Sequence, residues 1–224
     1  MASRLVASKI ANQAKLLTVM IENEADSDLI ANRDQMKATV RRLQQSSSEL
    51  SGLLGAEGSS AELYWRGIRH LLPNDLDFDS RTGRGATDIV NCALNYGYAI
   101  INSRCLKALY VAGLDPYCGF FHQDRPGRTG LSLDFMELFR APVVDAAVLK
   151  LARRQQLSPI SHDEPWLSKD TRYLIVDEIS QKLDKKTSAN GMKLTLNGVI
   201  STQAQEMARS FASKEPCDFW RWRP

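Results

Sequence analysis

The chain has 224 residues, 43% of them hydrophobic and 25% charged, which is the composition of an ordinary globular protein large enough to bury a core. Its formal net charge of +3 allows a nucleic-acid partner but does not require one. Because no run approaches about eighteen consecutive apolar residues and no signal-like segment follows Met1, we expect a cytoplasmic protein that neither spans nor binds a membrane.

Helical periodicity dominates the N-terminal part of the chain. Apolar residues recur at three- and four-residue steps from Ser3 to Glu22, which predicts a first helix, and a second is predicted from Ser27 to Gln45. The pattern is then broken by three glycines, Gly52, Gly55 and Gly58. We expect the third helix to begin after them.

A polar loop and a long central helix follow. The loop runs from Pro73 to Gly85 and contains Arg81 and Arg84. The helix is predicted from Thr87 to about Ala112, and Gly113 provides a natural stop because glycine readily adopts the left-handed conformation that ends helices.

The C-terminal half also favours helices. Ser132 is a plausible N-cap for a helix that ends near Arg140, because Pro142 has no N–H to continue the hydrogen bonding. Further helices are predicted to run through Val148 to Arg154, from Thr171 to Leu183 and from Thr202 to Ala212, while Met192 to Leu196 is either a strand or an extended loop. The pattern predicts an all-α fold, with residues 1–224 forming a single helical domain.

Several acidic and histidine residues are candidates for chemistry. Glu57 lies between Gly55 and Gly58, where a carboxylate can simply complement a helix dipole. His122 ends an apolar run, where histidine is more often a core or capping residue than a ligand. Asp134 and Glu137 share one face of their helix.

The surroundings of Asp134 and Glu137 make that pair the most informative. The residues between and around them are Leu, Phe and Met, so much of this helix is expected to be buried. Carboxylates on a buried segment need partners, and a divalent cation is one candidate.

Four ordered sequence blocks resemble the spacer-acquisition integrases of CRISPR systems. The block at 53–65 (LLGAEGSSAELYW) is similar to the family's glutamate motif, and 88–98 (DIVNCALNYGY) to its long central helix. The block at 112–122 (AGLDPYCGFFH) is similar to the histidine motif, and 131–145 (LSLDFMELFRAPVVD) to the acidic helix. The order and spacing of the blocks agree with the family over nearly the whole chain.

The resemblance implies a metal-dependent DNA integrase and endonuclease. By matching positions, Glu57, His122 and Glu137 correspond to catalytic metal ligands, and Asp134 to a nearby, less certain ligand. Two carboxylates and an imidazole suit Mg²⁺ or Mn²⁺. The expected reaction is the attack of a 3′-hydroxyl on a phosphodiester at a repeat border, and the expected setting is a prokaryotic cytoplasm.

The resemblance also implies partners. Double-stranded DNA, both the captured fragment and the CRISPR repeat, is the expected substrate, together with a homo-oligomer of at least two catalytic chains and a small ferredoxin-like companion protein. Basic residues next to the motifs are candidates for DNA contacts, although each can equally be a solvated surface charge: Arg66, Arg69, Arg81, Arg84, Arg104, Arg125, Arg128 and Arg140.

The chain begins where the family's helical region begins, without the usual β-rich N-terminal domain, so it is either a fragment or a minimal integrase. Two other functions remain open. One is a related transposon-borne integrase that mobilises its own element, and the other is a non-catalytic DNA-binding subunit whose carboxylates are structural. The genomic neighbourhood separates the two integrases, and a strand-transfer assay with Mn²⁺ separates an enzyme from a scaffold.

Overall fold

Helices account for most of the ordered structure. The computed structural model describes residues 1–21, 26–45, 50–121, 127–158, 167–189 and 191–223. The helices within these segments are α1 (Ala2–Ile21), α2 (Ser27–Gln45), α3 (Leu50–Leu71), α4 (Ile89–Val111), α5 (Gly130–Phe139), α6 (Ala146–Arg153), α7 (Lys169–Asp184) and α8 (Leu196–Ser213), with a 3₁₀ turn at Asn74–Leu76 and a π-helical segment at Arg140–Asp145. The all-α prediction is confirmed, and one short hairpin is the addition.

The first three helices form one packed unit. α1 buries an apolar stripe that includes Leu5, Ile10 and Leu17, and it packs against both α2 and α3. The bounds predicted for α1 and α2 are confirmed to within two residues. α1 also contacts α5, so this unit is joined directly to the C-terminal half.

The predicted start of α3 is wrong, because the helix runs through all three glycines. It begins at Leu50, and Glu57 therefore lies inside the helix and not at its entrance. Each glycine in a helix costs about 1 kcal/mol relative to alanine. Burial of Leu53 and Ala56 on the face toward the core opposes that cost.

The central helix α4 is confirmed close to its predicted bounds. The Asp88 side chain caps it by accepting from the backbone N–H of Asn91, and Gly113 follows its end with a φ of +78°. At Gly97 the helix approaches its neighbours so closely that a Cβ would lie 2.5 Å from Val144 Cγ1 and 3.1 Å from Ile179 Cδ1. Glycine at this position thus permits the contact of α4 with the π segment and α7.

Helix α5 ends at Phe139, which confirms the predicted end near Arg140, and the π segment then continues the helical rod into α6. Pro142 is accommodated because the hydrogen bonding widens locally, and the N–H of Ala146 reaches the carbonyl of Ala141 five residues back. The predicted N-cap, Ser132, is wrong. The cap position is Thr129, and the Ser132 hydroxyl contacts Asn102 Oδ1 on α4 at 2.8 Å.

A hairpin and the C-terminal segment complete the fold. The strand alternative for Met192 to Leu196 is confirmed as β2 (Met192–Thr195), which pairs antiparallel with β1 (Lys186–Ala189). After α8 the chain docks against the core, where the Trp220 ring stacks on Phe139 with 5.8 Å between centroids. No helix in the described segments is both long enough and apolar enough to cross a bilayer.

Candidate functional site

Two of the expected metal ligands converge on one lysine. Lys9 Nζ lies 2.5 Å from Glu57 Oε1 and 2.8 Å from Glu137 Oε2. These residues come from α1, α3 and α5, and the two glutamates are 80 positions apart in sequence. The fold therefore gathers two carboxylates around a single positive charge.

This cluster is shielded from solvent. The side chains of Lys9, Glu57 and Glu137 are 11%, 23% and 5% exposed. Burial alone would lower the pKa of Lys9, but the nearby charges of Glu137 and Glu57 outweigh it, and the pKa lies above its ordinary value. Lys9 is therefore an ammonium ion at neutral pH.

Arg140 binds the other oxygen of Glu137. Its Nη1 lies 2.8 Å from Glu137 Oε1, and its guanidinium lies 4.4 Å from the centroid of the Tyr98 ring. The carboxylate of Glu137 is thus held between two cations, one on each oxygen. The guanidinium of Arg140, paired with Glu137 and stacked on the Tyr98 ring, is therefore a positive charge held in place beside the carboxylates.

A buried aspartate lies behind Arg140. Asp145 accepts from the hydroxyls of Tyr64 and Tyr98, each at 2.6 Å. Burial raises the pKa of Asp145, although the hydrogen bonds from the two tyrosines oppose the rise. This group ties α3, α4 and the π segment together beneath the cluster.

Arg81 reaches the same ring from the loop before α4. Its guanidinium lies 5.2 Å from the Tyr98 centroid, and it donates to Asn91 Oδ1 at 3.0 Å and Asn95 Oδ1 at 2.6 Å. Of the arginines predicted to bind DNA, Arg81 and Arg140 are the two that the described structure places on this ring.

Most of the other predicted DNA contacts in the described segments are exposed. Arg66 is exposed and paired with Glu62 at 2.7 Å, Arg69 is paired with Asp79 at 2.8 Å, and Arg84 and Arg104 are exposed. Arg128 is half-buried, and Arg125 lies outside the described residues. All of these assignments stay predictions.

Asp134 supports the segment that leads to His122. Its Oδ2 accepts from the backbone N–H groups of Phe120 at 2.8 Å and Phe121 at 2.9 Å. His122 is the next residue and lies outside the described residues. These hydrogen bonds fit a role for Asp134 in orienting the histidine segment, and its assignment as a ligand stays a prediction.

The donor set fits a hard divalent cation. Within the described segments no group of three or more His, Cys, Asp and Glu side chains has metal-site geometry, but the third expected ligand, His122, is not among those residues. Glu57 and Glu137 already share one cation, and carboxylate oxygens with an imidazole suit Mg²⁺ and Mn²⁺. Glu57, Glu137 and His122 are therefore the residues that could hold the ion.

Lys9 is the residue that the sequence analysis missed. It follows Leu5 by four positions and Val6 by three, so it lies on the apolar stripe of α1. A lysine on a buried stripe needs a charged partner, and that signal was available in the sequence. Its partners were not, because they come from two distant helices.

Known proteins are similar to this chain in sequence and in fold. The family model described as "CRISPR associated protein Cas1" matches residues 1–181. The CRISPR-associated endonuclease Cas1 1 of Archaeoglobus fulgidus is 34% identical over 228 aligned residues, covering 92% of this chain and 66% of the relative. The chain thus spans about two thirds of that relative's length.

Solved structures share the architecture. A casposase bound to integration product matches with a TM-score of 0.80 at 28% identity, over 96% of this chain and 60% of that chain. A partial Cas6-RT-Cas1–Cas2 complex matches with a TM-score of 0.82 at 23% identity, over 98% of this chain and 67% of that chain, a likeness that shows the fold.

Proposed function

The chain belongs to the CRISPR-associated Cas1 family, and on this premise we propose that it inserts short DNA fragments into a CRISPR repeat array by transesterification. The relatives named as endonucleases and the casposase with its integration product support chemistry at a DNA phosphodiester. The Glu57–Lys9–Glu137 cluster carries the proposal, because it gathers two largely shielded acidic groups where the family resemblance places the ligands.

The proposed reaction exchanges one phosphodiester for another. The 3′-oxygen of the incoming strand forms a bond to the phosphorus at the repeat border while the P–O3′ bond of the target breaks. The attacking hydroxyl gives up its proton, and the departing 3′-oxygen of the target gains one. The number of phosphodiester bonds is unchanged, so the step needs no external energy source, and the reverse reaction is disintegration.

The residues have distinct proposed roles. Glu57, Glu137 and His122 would hold Mg²⁺ or Mn²⁺, which supplies Lewis-acid stabilisation of the phosphate and activates the 3′-hydroxyl when bound. Arg140 is fixed by Glu137 and Tyr98 and would contact phosphate oxygens. Asp134 holds the backbone that leads to His122.

Single substitutions test the proposal. Glu57→Gln and Glu137→Gln each remove one charge and keep the side-chain shape, so we expect strand transfer with Mn²⁺ to fall more than about 100-fold. DNA affinity should stay within about threefold, because phosphate contacts supply most of it. The measurements are a strand-transfer assay and fluorescence anisotropy with a labelled duplex.

Glu62→Gln is the matched control. It makes the same change on α3 at an exposed position whose partner is Arg66, and it should leave strand transfer unchanged. Full activity in Glu57→Gln or Glu137→Gln would overturn the assignment of that residue as a metal ligand. DNA binding without any strand transfer in the unmodified protein would favour a non-catalytic DNA-binding subunit.

A transposon-borne integrase is the second candidate. The casposase match over 96% of this chain at 28% identity favours it specifically. A repeat array beside the gene supports spacer integration, whereas terminal inverted repeats around it support the mobile element. A biochemical assay can make the same distinction: purified protein is given a fragment for a repeat array and an element with terminal inverted repeats in one reaction, and the preferred substrate is measured.

Oligomeric and companion partners belong to the same proposal. Joining both ends of one fragment to a repeat needs two active sites, so at least two catalytic chains are expected on one DNA. The partial complex whose fold matches is described as containing Cas2, which supports a small companion protein as a further partner.

A further inference from the structure

A groove rich in positive charge lies outside the carboxylate cluster. It runs between α1, α2 and the docked C-terminal segment, and it encloses about 390 Å³. Lys15, Lys37, Arg41 and Arg221 line it, and none of the residues described as lining it is Asp or Glu. We call these four residues and the space between them the basic groove.

The walls of the basic groove are held in place by packing and hydrogen bonds. α1 and α2 pack against each other along their lengths. Asn12, which is 1% exposed, donates to the carbonyl of Leu138 at 2.8 Å and accepts from the N–H of Trp222 at 2.8 Å. The third wall is therefore attached to the helix that carries Glu137, and the groove is a preformed feature.

The charge in the groove is concentrated relative to the whole chain. The full sequence carries 29 Lys and Arg against 26 Asp and Glu, so its charges nearly balance. Lys37 makes a long contact of 3.9 Å with Asp34, both of them exposed. With the Gln44 amide turned so that its oxygen faces Arg221, both guanidinium Nη atoms donate to it, at 2.7 and 3.0 Å. Asp34 also interacts electrostatically with Lys37 and Arg41, and Asp218 with Arg221, so two nearby carboxylates offset part of the charge of the four cations. A bound anion would offset the remaining repulsion.

The groove faces a different side of α1 from the cluster. Lys9 and Lys15 are six positions apart, which corresponds to about 9 Å along the helix and about 120° around it. Phosphates bound in the groove would therefore belong to a different DNA segment from the nucleotides that react at the Glu57–Glu137 cluster. Trp222, which is half-buried, also lines the groove.

We propose that the basic groove binds the phosphodiester backbone of a DNA segment that flanks the reacting nucleotides. The proposal rests on the proposed function for its substrate, and it adds a second contact region that positions DNA without taking part in the chemistry. None of Lys15, Lys37, Arg41 and Arg221 adjoins the four sequence motifs, and the groove binds phosphate through charge and not through base identity.

A double charge reversal tests the groove. In Lys15→Glu with Arg41→Glu, the Kd for a labelled duplex that extends beyond the integration end should rise about tenfold or more. The slope of log affinity against log salt should fall by about 1.8, since each lost phosphate contact removes about 0.9. Strand transfer at saturating DNA should stay within about twofold of the unmodified protein.

The matched control reverses two exposed charges elsewhere, Arg172→Glu with Lys193→Glu, on α7 and β2. Each double variant loses two positive charges and gains two negative ones, which takes the net charge from +3 to −1, so only the location differs. The milder Lys15→Gln with Arg41→Gln repeats the measurement if the reversal unfolds the protein, as judged by circular dichroism.

The outcomes separate the two proposals. Equal DNA affinity in the groove variant and the control would overturn the groove, and so would a changed oligomeric state by light scattering with unchanged affinity, because the groove would then face a second copy. Loss of DNA affinity in the groove variant alone supports the groove proposal, even if the unmodified protein shows no strand transfer. Absence of strand transfer in the unmodified protein would overturn only the integrase proposal.

Discussion

Lys9 supplies the positive charge that balances the two carboxylates of the cluster when no metal ion is bound. Two largely shielded carboxylates that share no cation repel each other, and each also loses part of its hydration. The ammonium of Lys9 contacts both Glu57 and Glu137, so it compensates the negative charge that the fold collects. The Lys9 ammonium would also repel a divalent ion bound by both carboxylates. Lys9 and the metal would therefore compete as counter-charges for Glu57 and Glu137.

Replacing Lys9 by methionine keeps most of the side-chain volume and removes the charge. In EDTA we expect the free energy of unfolding to fall by about 3–5 kcal/mol, because one partner of a buried ionic cluster is lost. Added Mn²⁺ should recover more stability in this variant than in the unmodified protein, since the ion replaces the missing charge. Urea denaturation with EDTA and with Mn²⁺ measures both.

Lys15→Met is the control for the methionine substitution. Lys15 is on the same helix and half-buried, but it is not part of the cluster, so its replacement should change the metal-free stability by less than about 1 kcal/mol. Equal recovery by Mn²⁺ in Lys9→Met and in the unmodified protein would contradict the competition.

A site residue could be predicted from the sequence where a local motif identifies it without knowledge of its partners. Family motifs identified Glu57 and Glu137, and the structure brings these two together. The backbone hydrogen bonds of Asp134 were not predictable, because an aspartate that accepts two backbone N–H groups looks the same in sequence as one that binds a metal. Long-range partners such as those of Lys9 depend on how three helices pack, which no local pattern contains.

At the scale of elements, the continuous rod of α5, the π segment and α6 positions the site. Glu137 lies on the last turn of α5, Arg140 begins the π segment and Asp145 ends it. The wider turn absorbs Pro142 without breaking the rod, and Asp145 receives the hydroxyls of Tyr64 and Tyr98. π segments within helices often occur at functional sites, and this one adjoins the candidate metal ligand.

The close approach at Gly97 gives a prediction for this packing. Gly97→Ala would place a methyl group 2.5 Å from Val144 Cγ1, on a valine that is fully buried, so the helices must separate. We expect the free energy of unfolding to fall by about 1–3 kcal/mol. Thermal and urea denaturation measure the change.

Gly55→Ala is the opposite case in α3. A Cβ there meets no atom within 4 Å, and alanine favours the helix over glycine, so the stability should rise by about 0.5–1 kcal/mol. Destabilisation by both substitutions to the same degree would show that α4 has no special contact at Gly97.

The elements were predictable where local signals agreed with packing. α2 has its predicted bounds, Ser27–Gln45, because its apolar period is unbroken, and Gly113 ends α4 as expected. α3 was predicted too short because glycine lowers helix propensity, while the burial that overrides it is a tertiary effect. β1 was missed because Lys186–Ala189 is too short to show alternation and is defined only by its pairing with β2.

At the scale of the whole molecule, Asp145 connects separate parts of the core. Tyr64 comes from α3 and Tyr98 from α4, and both are buried around this one carboxyl. Because the N-terminal helices and the C-terminal rod meet here, the protonation of the two tyrosines is coupled to global unfolding.

This coupling predicts how stability depends on alkaline pH. Burial and the nearby charge of Asp145 raise the pKa of Tyr64 and of Tyr98 well above the ordinary value of 10.0. Above pH 10 the unfolded chain therefore loses protons that the folded chain keeps. The free energy of unfolding must then fall as pH rises, by up to about 1.4 kcal/mol per pH unit for each tyrosine.

Tyr64→Phe removes one of these titrating groups and one hydrogen bond to Asp145. We expect the variant to be less stable than the unmodified protein at pH 8, but its stability should decline more gently between pH 10 and 11, by up to about 1.4 kcal/mol per unit. Urea denaturation across this range measures the slope. Tyr173→Phe, which changes a tyrosine that is 62% exposed, should leave the slope as it is. A slope that is the same in Tyr64→Phe and in the unmodified protein would show that Tyr64 does not retain its proton in the folded state.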